Sequence, residues 1–228
     1  MTSMILYGKQ IFFYIVKNHP DLIEEIYLAK EVDKKIFSTI SKLNRKIVKL
    51  DPKKAQSMAH GGNHQGFLLK IKYLPFAEVK DLKKDDFLLV LVGITDVGNI
   101  GAIIRSAYAL GVDGVIVSGV QSLALEGVVR TSSGAAIDMP IALFKDTATL
   151  VNELKQIGFK TYAADMNGAD IRDLKFGLKK VLFLGSEGEG ISNRILKMCD
   201  QKIKIVMDRN FDSLNVSAAA AILCDRMR

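Results

Sequence analysis

The distribution of apolar and polar positions changes character near residue 87. Downstream of it, short runs rich in leucine and β-branched residues occur at 87–94, 114–118, 160–164, 180–184 and 202–207. Stretches with helical spacing separate them, at 100–110, 122–133, 146–157 and 192–198. Near-continuous apolar strands alternating with helices predict a parallel sheet covered on both faces. A small-residue helix is expected over 216–227, with four consecutive alanines at 218–221. Alanine favours a helix on its own and also lets another backbone come close. Upstream, the pattern predicts a helix over 7–16, a strand over 25–29, a helix over 34–43 and a strand over 46–50. A helix over 51–58 and a strand over 67–72 complete a small α/β domain. Residues 73–86, with Pro75 and the charged Lys83-Lys84-Asp85-Asp86, separate the two patterns. The expected organisation is therefore a first domain over 1–75, a linker over 76–86 and a larger α/β domain over 87–228.

Composition narrows the class. The longest apolar run, 87–92, is far short of the roughly 20 residues that span a bilayer. The apolar stretch at 11–16 carries neither a basic leader nor a small-residue cleavage site, so a cytoplasmic protein with no membrane association is expected. Cys199 and Cys224 stand in unlike contexts and suggest neither a disulfide nor a metal cluster. His60 and His64 are four apart, but Gly61 and Gly62 between them disfavour the helix that would aim both at one metal, so no metal is expected.

The net charge of +7 is informative once it is located. Residues 1–80 hold 14 Lys/Arg and 7 Asp/Glu, whereas residues 81–228 hold 18 of each. A basic module joined to a neutral one suggests that one part holds a polyanion and the other does chemistry. A merely solvated lysine face gives the same count. Aromatic residues are few and tryptophan is absent. Phosphate contact and shape recognition are therefore expected, rather than a base-stacking platform.

Three polar-glycine segments follow predicted strands, at the sheet edge where ligands bind in open α/β folds. The first is Asn99-Ile100-Gly101-Ala102-Ile103-Ile104-Arg105. Asn99 is expected to cap the following helix, with Arg105 off its apolar stripe and near the positive end of the helix dipole, a local anion site. The second is Gly185-Ser186-Glu187-Gly188-Glu189-Gly190. Its glycines permit close backbone approach, and its two carboxylates suit a cation such as a sulfonium better than a phosphate. In the third, Ser213-Leu214-Asn215-Val216-Ser217, Ser213 or Asn215 is expected to cap the last helix.

Taken in this order, the segments resemble the three signature motifs of the SpoU (TrmH-type, SPOUT) RNA ribose 2′-O-methyltransferases. Asn99, Gly101 and Arg105 match the first motif, Gly185, Glu187 and Gly190 the second, and Ser213, Leu214 and Asn215 the third. Tyr7-Gly8, His64-Gln65-Gly66 and the basic first domain are similar to the bacterial subgroup that methylates a guanosine ribose in 23S ribosomal RNA. Val97 stands where many relatives carry proline. The resemblance implies a deep trefoil knot at the C-terminal end of the catalytic domain, an RNA-binding first domain and a homodimer. It also implies S-adenosyl-L-methionine as cofactor, held by Gly185, Ile205, Leu214 and Ser213. Asn99, Arg105, Glu187 and Asn215 are the implied catalytic residues, with the ribose hydroxyl attacking the sulfonium methyl. A guanidinium does not give up its proton in proteins, so Arg105 is read as stabilising the developing alkoxide rather than as the base. A tRNA methyltransferase of the same family and a non-catalytic ribosome-associated RNA binder are the alternatives.

Overall fold

The computed structural model describes residues 3–209 and 213–228. The chain forms two compact units. One comprises Met1–Pro75 with Leu125–Gly134, and the other Phe76–Ala124 with Ala135–Arg228. Element labels below run in chain order.

In the first unit, β1 (Ser3–Tyr7), α1 (Lys9–Asn18), β2 (Ile23–Leu28), α2 (Lys34–Ser41), β3 (Lys46–Lys49), α3 (Pro52–Met58) and β4 (Phe67–Lys72) build a sheet of order β1-β4-β2-β3. β4 runs antiparallel to β1 and β2, and β3 joins β2 in parallel. Asp33 and Asp51 start α2 and α3 by accepting the Ile36 and Lys54 N–H groups at 2.8 and 3.0 Å. Each such cap satisfies a backbone donor that the helix itself leaves unpaired. α1 buries Ile11, Phe12, Ile15 and Val16, and Phe12 packs its ring 4.9 Å from that of Phe67. β1 was not expected. Its signal is only the burial of Met4 and Leu6 on alternate positions, and its partner β4 lies some sixty residues further along the chain. The loop between α3 and β4 turns through positive φ at His60, Gly61, Gln65 and Gly66. There His64 Nδ1 accepts the Gly66 N–H at 3.0 Å, the role of a turn residue. Among the described residues no group of His, Cys, Asp and Glu is arranged to hold a metal.

Helix α6 (Leu125–Thr131) belongs to this first unit, although its sequence lies among the strands of the second. Arg130 stacks its guanidinium 5.0 Å from the centroid of the Tyr7 ring. A Cβ on Gly134 would fall 2.5 Å from Tyr14 Cδ1, so the chain can close on α1 there only with glycine. The pattern of 122–133 predicts a helix but carries no information about which sheet it covers.

The second unit contains α4 (Val79–Leu82), β5 (Phe87–Val92), α5 (Val97–Ala109), β6 (Gly114–Ser118), α7 (Ala135–Asp138) and β7 (Ile141–Phe144). It continues with α8 (Thr147–Gln156), β8 (Lys160–Asp170), β9 (Lys180–Gly185), α9 (Asn193–Met198), β10 (Gln201–Lys204) and α10 (Val216–Met227). Its six strands are all parallel, in the order β10-β8-β9-β5-β6-β7. β7 escaped the sequence pattern because it is a four-residue edge strand directly after Pro140. The stretch 76–86 is not a free linker. Leu82 is buried among core residues of the second unit, and the Ala77 N–H bonds Ile141 O at 2.8 Å.

Leu88, Val90, Val181 and Phe183 face α8 and α9, with Val151 and Ile195 in the same cluster. The alternate strand positions point to the other face, where α5 and α10 pack together. Each fully buried Leu, Ile, Val or Phe contributes about 1.5–3 kcal/mol, so the sheet is a rigid platform for its edge loops. β10 lies at the far edge of the sheet, yet α10 packs on α5 and β9. That return path is the part of the topology in which the family resemblance expects the knot. No helix of the described residues is long and apolar enough to cross a membrane.

Candidate active site

The carboxyl edges of β5 and β9 adjoin, with Val92 opposite Gly185 in the register. From β5 the chain enters α5, and the cap is Asp96, not Asn99: Asp96 Oδ1 accepts the Asn99 N–H at 2.7 Å. Asn99 therefore sits inside the first turn with its side chain available for other work. The same shift moves Arg105 to the ninth of the 13 residues of α5. The helix dipole acts within its terminal turns, so the expected dipole-assisted anion site does not form at Arg105, which is exposed on the third turn.

From β9 the chain enters the second motif. Ser186 and Gly190 form an isolated bridge, with the Gly190 N–H donating to Ser186 O at 2.9 Å. A Cβ on Gly185 would lie 2.5 Å from Gly190 O and 2.6 Å from Ile191 N. The loop closes on backbone that only glycine leaves room for. The tip is open, since nothing lies within 4 Å of a Cβ placed on Gly188.

The third motif joins the other two. Asn215 caps α10, accepting the Ser217 N–H at 2.9 Å. Its Nδ2 donates to Asn99 Oδ1 at 3.0 Å and to Glu187 Oε1 at 2.6 Å. Both amide hydrogens and the carbonyl oxygen are thereby used, which fixes the side chain's orientation. Glu187 Oε1 also accepts the Val216 N–H at 3.1 Å, placing a carboxylate at the positive end of α10. Asn99, Glu187 and Asn215 thus form one connected cluster drawn from all three motifs. Arg105 stands about 9 Å further along α5 from Asn99 and about 240° around it. Of the remaining candidates, Gly185 ends β9, Ile205 directly follows β10, Leu214 is half-buried and Ser213 is exposed. An Asn215→Ala substitution should cost about 0.5–2 kcal/mol of stability through the lost cap. A double-mutant cycle with Asn99→Ala, read by denaturant unfolding, should show coupling between the two sites.

Cys199 and Cys224 are both free. Burial pushes the Cys224 thiol up to about 12. Burial, followed by the charge of Asp200, pushes Cys199 up to about 11. Neither is a thiolate near neutral pH. Two features escaped the sequence pattern. One is the capping role of Asp96, for which a polar residue three before Asn99 is the available signal. The other is a cleft of about 370 Å³ lined by Gly93, Thr147, Ser186 and Gly190 among others, floored near the buried Ser118–Thr147 hydroxyl pair at 2.7 Å. Thr147 follows β7, the strand the pattern did not reveal.

A parallel α/β unit with residues of three polar-glycine motifs joined at its carboxyl edge, in a chain that also carries a separate basic unit, is the architecture of an enzyme that acts on a polyanion. The chain belongs to the SpoU rRNA methylase family: residues 86–225 match that family. Residues 5–77 match the family described as RNA 2′-O ribose methyltransferase substrate binding. By this membership the protein is an RNA methyltransferase of the SpoU/TrmH type. A Staphylococcus aureus (strain COL) protein named for the TrmH family of tRNA/rRNA methyltransferases is 33% identical over 221 residues, covering 92% of this chain and 88% of its own. An Archaeoglobus fulgidus protein named as an uncharacterized tRNA/rRNA methyltransferase is 37% identical over 159 residues, covering 67% and 69%. The fold is similar to that of the SpoU methyltransferase AviRb from Streptomyces viridochromogenes in complex with AdoMet. That likeness has a TM-score of 0.80 at 21% identity, over 99% of this chain and 89% of the other.

Proposed function

We propose that the protein transfers a methyl group from S-adenosyl-L-methionine to the 2′-hydroxyl of a ribose, that of a guanosine, in 23S ribosomal RNA. The observation that carries this reading is the Asn99–Asn215–Glu187 cluster, which ties the three motifs together. The second-motif loop fits a cationic cofactor. Glu187 and Glu189 lie in it, residues 185–193 contain no Lys or Arg, and its Gly188 tip is open. Backbone groups of Gly185, Ile205 and Leu214, with Ser213 beside them, would hold the cofactor, which supplies an electrophilic methyl group when bound. The chain's own residues align and polarise the hydroxyl, a poor nucleophile. Arg105 stabilises the alkoxide as it develops, and the proton leaves to water or a phosphate, since a guanidinium does not accept it. Asn215 holds Asn99 and Glu187 in register beside the ribose. Tyr108 on α5 and Ile222 on α10 are 47% and 40% exposed. These exposed side chains on the packed α5–α10 pair support a homodimer assembled through those helices, and we place its work on RNA in the cytoplasm.

The test is transfer of a labelled methyl group from S-adenosyl-L-methionine to ribosomal RNA, to pre-ribosomal particles and to tRNA, followed by nucleoside analysis. The label is expected on the ribose of a guanosine in large-subunit RNA. Label on a base overturns the mechanism, label confined to tRNA overturns the substrate, and no label on any RNA favours a binding-only protein.

A further inference from the structure

Positive charge in the first unit is concentrated in one stretch of its sequence, which includes the edge strand β3. Residues 30–54 hold nine Lys/Arg against three Asp/Glu, a net +6 of the chain's +7. Two of those carboxylates, Asp33 and Asp51, are occupied in capping α2 and α3. β3 is the edge strand there, with Lys46 and Lys49 exposed. Glu25 partly neutralises Lys46, at 3.4 Å. Among the described residues no ion pair involves Lys34, Lys35, Lys42 or Arg45. Lysines on an edge strand also guard against strand pairing between molecules, which accounts for β3 but not for α2.

α2 is the anomalous element. Its apolar positions are Ile36, Phe37 and Ile40, yet only Ile40 is buried. Phe37 is 50% exposed and lies one turn from Lys34 on one side and Ser41 on the other. A lone exposed apolar residue is ordinary. An exposed aromatic ring on a weakly buried helix, amid unpaired cations, has the chemistry that proteins use for unpaired bases: a face to stack on and charges that follow the backbone. A duplex hides its base faces, so the ring selects single-stranded nucleotides.

We propose that Phe37 is a stacking platform for one unpaired nucleotide of the RNA substrate, with Lys34, Lys35 and Lys42 contacting the flanking phosphates. This rests on the reading of the first unit as the RNA-holding part, and it adds one stacking contact to the phosphate and shape recognition expected from composition. The absence of tryptophan elsewhere makes Phe37→Trp a single-tryptophan reporter. In the full-length protein, a 12-nucleotide single-stranded RNA should quench that fluorescence, whereas a duplex of the same length and inorganic polyphosphate should not. Phe37→Ala should weaken single-strand affinity roughly 5- to 100-fold with an unchanged salt dependence. Lys34→Ala should lower the slope of log K against log salt by about 0.7. Equal quenching by polyphosphate, or unaltered affinity of Phe37→Ala, overturns the proposal. So does loss of affinity only for protein-containing particles, which would mark a protein partner instead. These readouts are of binding alone. Failure of the wild-type protein to methylate any RNA would count against the proposed function and leave the Phe37 result to stand or fall separately.

Discussion

Gly185→Ala is expected to abolish S-adenosyl-L-methionine binding in a protein that still folds with reduced stability. The added methyl would sit 2.5 Å from Gly190 O and 2.6 Å from Ile191 N. Both are backbone atoms, one in the Ser186–Gly190 bridge and the other at the head of the segment leading to α9. No side-chain rotation relieves that overlap. Either the bridge opens or β9 shifts against β5, and a strain of this kind costs about 1–3 kcal/mol. An opened bridge also displaces Glu187, two residues on, from Asn215 and Val216. The matched control is Gly188→Ala in the same loop, where the methyl meets nothing within 4 Å. Calorimetric titration of cofactor into both variants, with thermal unfolding alongside, checks the pair. Cofactor affinity for Gly185→Ala within threefold of the wild type would show that the closure of this loop does not shape the binding site.

Arg105→Ala should lower the methylation rate roughly 10²–10³-fold, the usual cost of removing one group that stabilises charge in a transition state. Cofactor affinity should change little, because the role proposed for Arg105 is exerted only as charge develops on the ribose oxygen. The side chain is exposed on α5, so its loss should leave the fold intact and the kinetic effect free of unfolding. Arg105→Lys should recover little of the rate, since an ammonium lacks the planar fork of donors that can hold a ribose oxygen and a phosphate together. Single-turnover rates on saturated complexes, with separate cofactor titrations, distinguish the roles. A fall in affinity as large as the fall in rate would make Arg105 a cofactor ligand.

The alternation of strands and helices after residue 87, and the three motifs at strand ends, were legible without a structure. They rest on local periodicity and on residue types with restricted uses, such as asparagine before a helix or glycine in a closing loop. The capping residue of α10 was among the two that the pattern offered, and the structure selects Asn215. The cap of α5 was misread because Asn99 and Asp96 have the same local chemistry. The choice between them depends on where β5 releases the chain, which is set by its pairing with β6 and β9.

What the sequence by itself determined is the kind of chemistry: a basic part, a neutral part, and polar-glycine loops suited to a cation and to a hydroxyl. What only the tertiary structure decided is which groups meet. Asn99 and Asn215 are 116 residues apart and hydrogen-bond at 3.0 Å. α6 joins the sheet of the first unit from within the sequence of the second. Leu82 turns an apparent linker into core. The physical reason is common to all three. Periodicity and propensity act over a few residues, whereas these contacts form only when distant segments bury apolar surface together. That burial is set by the order of strands in the sheet, and no stretch of the chain encodes it alone.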